Sequence, residues 1–157
     1  MRIYLFVLCL IGSMLSSCVD SSANSMASTP FVNVPYEVVS QGGMHQNILN
    51  QQLHVVTDAT QLAELTATAA FSPALPALDL DANNLVAIIL PPSTACDGLG
   101  MVNVSESADV VLVEVEKTVP GDMPCVALMP IHSLSVVATI PKSGKPVSFA
   151  FTIKKAG

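Results

Sequence analysis

The sequence has no tryptophan, few aromatic residues of any kind (4%) and few charges (11%). Six basic residues stand against twelve acids, for a formal charge of −6, and the bases nowhere form a cluster. Nucleic-acid binding rests on neutralising phosphates with a basic surface, so that class is excluded. Electrostatic adhesion to anionic lipid is excluded on the same ground. No apolar run reaches the roughly 20 residues that a membrane-spanning helix needs. There is no Cys-x-x-Cys pair and no Gly-x-Ser-x-Gly elbow. Two readable signatures, of thiol redox and of hydrolase chemistry, are therefore missing.

What is present begins at the N-terminus. Met1 and Arg2 form a short positive segment, residues 3–11 are a compact apolar run, and small residues then lead to Cys18. This is the three-part layout of a secretory signal over residues 1–17. Leu15-Ser16-Ser17-Cys18 resembles the bacterial lipobox, in which the cysteine thiolate takes a diacylglycerol and becomes the first mature residue. The competing reading is an ordinary cleaved signal with an incidental cysteine. Acyl chains, at about 0.8 kcal/mol per buried methylene, would anchor the protein to a membrane without help from charge. The expected location is the cell envelope. Val19 in place of Asp favours the outer membrane if the organism has two.

Residues 18–34 are polar and small, with Asp20, Asn24, Pro30 and several serines, and are expected to form a lipidated N-terminus and flexible tether. Residues 35–157 are expected to form a single β-rich domain, rich enough in Val, Leu and Ala to build a core. Short strands are expected at residues 36–39 and 53–56. Asp58 followed by Gln61 reads as a helix start, with Leu62, Leu65 and Ala69 at helical spacing. Residues 85–90 are apolar on both faces, which suits a central strand. Further strands are expected at residues 101–105, 110–117 and 134–140. In residues 147–153, Val147, Phe149, Phe151 and Ile153 alternate with polar or small residues, and all four are expected to face inward. The expected fold is mainly β (α+β): a small curled sheet or β-sandwich of about seven strands with one covering helix.

Pro76-Ala77-Leu78-Asp79-Leu80, the apolar residues 85–90, and Ile140-Pro141-Lys142 with Lys145-Pro146-Val147-Ser148-Phe149 resemble the PrcB C-terminal-like domain. That family is named for an accessory lipoprotein of a bacterial surface protease complex. The resemblance covers roughly residues 55–151 and implies a β-rich, exported, often lipidated domain. Two features depart from the family pattern. A Thr-Gly-Gly-aromatic loop is replaced by Thr94-Ala95-Cys96-Asp97-Gly98-Leu99-Gly100, and the helix lacks a Trp. A ligand shared with relatives is therefore not implied.

Cys9 leaves with the signal and Cys18 takes the lipid, so Cys96 and Cys125 remain. Two leftover cysteines in an exported protein are expected to pair as a disulfide, the alternatives being separate thiols or a redox pair. Met101, Met123, Cys125, Met129 and His132 include soft copper ligands, but Met also fills cores and Cys125 is better used in the disulfide. His45 and His54 lack an acid at a spacing that marks a base. Ser93, Asp97 and His132 assemble into a triad only on paper. Asp79 and Asp81 are too few oxygens for calcium, and Asp79 is expected to organise a turn. Gly98-Leu99-Gly100 has no following basic residue for a phosphate loop and is expected to permit a tight turn or bulge.

No cofactor, metal or catalytic residue is expected. The residues expected to contact a partner are Pro91, Pro92, Ser93, Thr94, Asp97, Gly98, Leu99, Gly100 and Met129, on loops joined by the disulfide. The expected function is that of a non-catalytic envelope lipoprotein, a protein-binding or accessory subunit whose partner is an envelope protein or protease. The alternative is a small envelope enzyme whose site is not recognisable from sequence.

Overall fold

Residues 85–90 are apolar on both sides because both sides are buried. The computed structural model describes residues 30–44, 48–69, 71, 74–92, 94, 96–121 and 133–156. In chain order these form β1 (Val32–Asn33), β2 (Glu37–Met44), β3 (Gln52–Val56), α1 (Ala59–Thr68), β4 (Asn83–Pro92), β5 (Gly98–Glu106), β6 (Val111–Val119), β7 (Ser133–Pro141) and β8 (Val147–Lys155). One sheet has the order β1-β5-β6-β8 and the other β2-β7-β4-β3, and neither closes into a barrel. The protein is thus mainly β, with eight strands where about seven were expected. Among the described residues, β6 and β8 are the one parallel pair, with Val113 opposite Phe149 and Val115 opposite Phe151.

Strand β4 lies between β7 and β3 and serves two cores. Val86, Ile88 and Leu90 point between the sheets and meet Val104, Val113, Val115, Val136 and Ala138. Leu85, Ala87 and Ile89 point the other way and pack with Val56 and Val137 beneath Leu65 and Ala69. The result is three layers, two sheets and a helix. Leu85, Val86, Ile88 and Ile89 are wholly enclosed, each contributing about 1.5–3 kcal/mol relative to exposure.

Helix α1 starts where Asp58 and Gln61 place it. The Asp58 carboxylate accepts from the Gln61 amide at 2.9 Å. The Gln61 side chain reaches back one residue further than a standard capping box, accepting from the Thr57 amide at 2.8 Å. Leu65 is buried against the sheet, with Leu62 half-buried beside it. The β5–β6 turn is closed by Ser107, whose amide donates to the Val110 carbonyl at 2.9 Å. Between β7 and β8, Gly144 has φ +69°, a conformation that L side chains rarely adopt.

Three expectations need correction. The domain begins earlier than residue 35: Val32–Asn33 pairs with β5, and the Val34 amide donates to the Val104 carbonyl at 2.8 Å. A two-residue strand is too short to leave a period. Second, Gly98, Leu99 and Gly100 form the start of β5 rather than a turn, paired with Thr118, Lys117 and Glu116; the register shift falls later, between Met101 and Asn103. Third, only half of the inward face of β8 is covered. Val147 and Phe149 pack on the inter-sheet core, whereas Phe151 and Ile153 are 38% and 74% exposed. The opposite edge strand, β3, is five residues long against nine for β8, so the later side chains run past it.

Candidate functional site

The connection from β4 to β5 carries most of the residues expected to meet a partner. Pro91 and Pro92 are strand residues that finish β4 beyond a register shift at Leu90, and Pro91 is half-buried. Thr94 is exposed, and its hydroxyl donates to the Asp97 carboxylate at 2.5 Å. The Asp97 amide donates to the Thr94 carbonyl at 3.1 Å, closing a turn. Cys96 is exposed and disulfide-bonded. Its expected partner, Cys125, lies outside the described residues, as do Ser93 and Met129.

Asp97 is not a surface acid. Its side chain is 6% exposed and pairs with the Lys117 ammonium at 3.1 Å. That pair ties the turn to β6, next to the disulfide. Leu99 is also withdrawn from the surface: its side chain is taken up by the inter-sheet core rather than offered to a partner protein. Its carbonyl accepts from the Gln41 side chain at 2.7 Å, linking the two sheets. Gly98 and Gly100 offer only strand backbone. Of the expected surface, the described exposed portion is the short span around Thr94 and Cys96.

Beside that span lies a groove of about 260 Å³ formed by Gln51, Leu90, Pro91, Lys117, Phe151 and Ile153. Lys117 joins the two regions, since it lines the groove and holds Asp97. Lys155 follows Phe151 and Ile153 in the same strand phase and is exposed. Its neighbour Lys154, on the other face, lies 3.9 Å from Glu116. Three of the five lysines, Lys117, Lys154 and Lys155, therefore gather at one end of an otherwise acidic chain. The outer edge of β8 has no strand partner among the described residues.

A second cavity, of about 340 Å³, opens at the opposite end of the sandwich, between Val55, Thr57, Asn84, Lys142, Lys145 and Val147. β4 runs from one to the other: Asn84 and Pro91 are separated by about 23 Å at about 3.3 Å per residue. Sequence reasoning passed over Asn84, although a signal was present. It stands in phase with Val86, Ile88 and Leu90, where a polar residue must point into the core.

The remaining candidates resolve into structural roles. The Asp79 carboxylate accepts from the amides of Asp81 and Ala82 at 3.1 and 3.2 Å, so it organises the turn before β4. A His54 ring nitrogen meets the Gln52 side chain at 3.1 Å. His45, His132, Met123 and Ser93 lie outside the described residues. Among the described residues, no group of three or more His, Cys, Asp or Glu could hold a metal ion, and no helix is long and apolar enough to cross a membrane. No family model, curated protein or solved structure matches the chain.

Proposed function

We propose that the chain is a lipid-anchored, non-catalytic protein of the cell envelope that holds a protein partner at the Pro91–Ile153 end of its sandwich. The observation that carries this reading is the exposure of Ile153 and Phe151, 74% and 38%, on a strand whose outer edge has no strand partner among the described residues. An edge strand of nine residues offers a row of free amides and carbonyls, and Phe151 and Ile153 offer apolar contacts at every second position. Natural edges of this length are usually blunted, and here the blunting is supplied by Lys154 and Lys155. Lys117 and Lys154 already pair with Asp97 and Glu116, so Lys155, exposed and in phase with Phe151 and Ile153, is the one that selects the partner's charge. The fitting partner presents an extended segment in which apolar residues alternate with acids.

The N-terminal residues supply the location. Cys18 takes the lipid, and Val19 directs the protein to the outer membrane in a two-membraned cell. The resemblance to the PrcB C-terminal-like domain makes an envelope protease complex the first partner to look for.

The test compares two exposed positions. Full-length protein is purified from its own envelope after crosslinking, as wild type, as Ile153→Asp and as Val102→Asp. Val102 is 55% exposed on β5 and serves as a matched control for the added charge. The expected result is one partner retained by wild type and Val102→Asp and lost from Ile153→Asp. Equal recovery with both variants would refute the site.

A further inference from the structure

We infer that the cavity around Asn84, at the end of the sandwich remote from the groove, is a binding site for a carboxylate with an amide N–H beside it, as in the C-terminal residue of a peptide. Asn84 is 5% exposed, and its side-chain oxygen has no hydrogen-bond partner among the described residues. A buried amide oxygen without a donor destabilises the fold, and a core-phase position next to Val86 would ordinarily be apolar. The residue is explained if a ligand supplies the missing donor.

The rest of the cavity specifies that ligand. Lys142 and Lys145 stand at its rim, on the turn between β7 and β8. The Lys142 ammonium donates to the Thr57 carbonyl at 3.2 Å and the Leu80 carbonyl at 3.0 Å, which are neutral partners. Its charge is left uncompensated by these bonds and one of its three N–H groups is left over. Lys145 is different: it pairs with Glu106 at 2.6 Å and with the Ser107 carbonyl at 2.7 Å, and its charge is largely answered. Lys142 is therefore the anion contact, and the Lys145–Glu106 pair holds the turn in place.

The Lys142 backbone is itself fixed, its amide donating to the Ala82 carbonyl at 3.0 Å, two residues before Asn84. Thus the anion contact and the orphan amide are set by the same short stretch of backbone. Val55, Pro146 and Val147 form apolar walls between them. A carboxylate on Lys142, its neighbouring N–H on the Asn84 oxygen, and a small apolar side chain against the valines would answer the unbalanced charge, the orphan acceptor and the apolar wall. A volume of about 340 Å³ is at the small end of ligand sites and suits one or two residues.

The probe is N-acetyl-alanyl-alanine, titrated into the isotope-labelled full chain in detergent micelles and followed by amide chemical shifts at Val55, Asn84, Gly144 and Val147. Saturable shifts confined to these residues are expected. The C-terminal amide of the same dipeptide should bind about tenfold more weakly or less, the loss of one charge-assisted hydrogen bond. Acetate alone, which has the carboxylate but not the N–H, should also bind weakly. Asn84→Leu and Lys142→Met should each weaken the dipeptide by about tenfold, whereas Lys154→Met at the other end should not. Lys142 is exposed, so its variant folds even if Asn84→Leu does not. No saturable shift, equal binding of the amidated dipeptide, or undiminished binding by Lys142→Met would each overturn the assignment.

Discussion

The Ser133 hydroxyl, wholly enclosed, holds both backbone polar groups of Ile48, accepting from its amide at 2.8 Å and donating to its carbonyl at 3.4 Å. One side chain thus substitutes for a missing strand pairing and pins the segment before β3 to the start of β7. Ser133→Ala leaves both groups buried without partners, an expected loss of about 1–3 kcal/mol. Urea unfolding should show a lower midpoint at unchanged slope.

Phe149 and Ile153 share a strand phase but not a role. Phe149→Ala should cost about 2–4 kcal/mol, toward the lower part of the range for aromatic truncation because the ring is half-buried. Ile153→Ala should change stability by no more than about 0.5 kcal/mol. Thermal melts of the two variants side by side decide this, and equal losses would mean that β8 is covered along its whole length.

Gly121 marks a close backbone approach. A Cβ there would fall on the Ala156 carbonyl oxygen. Gly121→Ala should push the end of β8 away from β6, at about 1–3 kcal/mol, the usual range for overpacking. The Ala156 amide, which donates to the Val119 carbonyl at 2.8 Å, should lose protection from hydrogen exchange while the β4 amides keep theirs.

Cys96 is disulfide-bonded, and Cys125 is the proposed partner. Protein isolated without reductant should show no alkylatable thiol at either position, and two after reduction. Cys125→Ser should expose Cys96 to alkylation. With about 30 residues in the closed loop, the loss of stability should be about 3.6 kcal/mol in the chain-entropy estimate.

Cys18→Ala should abolish incorporation of a palmitate analogue and leave precursor or released protein. Label retained on the variant would remove Cys18 as the acylated residue.

Where the sequence could be read, side-chain periodicity coincided with burial. Residues 85–90 declared a doubly buried strand because both phases are apolar, and Asp58 with Gln61 declared a helix start because capping is local chemistry. Both are present. The continuation of β2 through Gly42 and Gly43 was not legible, since paired glycines signal a loop and here the pairing with Ser135 and Leu134 overrides them. Nor was the parallel pairing of β6 with β8, because a period of two carries no direction. Alternation in residues 147–153 gave the phase of the strand but not the length of the strand facing it. The same gap hid the exposed end of β8: Leu99 looked exposed beside glycines, and Phe151 and Ile153 looked buried, because exposure is decided by what the other sheet covers.

The parallel pairing of β6 and β8 has a consequence if the chain is exported as proposed. Between those strands the chain must cross to the other sheet, form β7 and return. Strand β6, delivered earlier, therefore waits with its flank open until residues 147–155 arrive. A chain threaded through a translocation channel N-terminus first cannot complete the β1-β5-β6-β8 sheet while that stretch is still inside. Under the proposed export, that sheet is completed only once residues 147–155 have emerged.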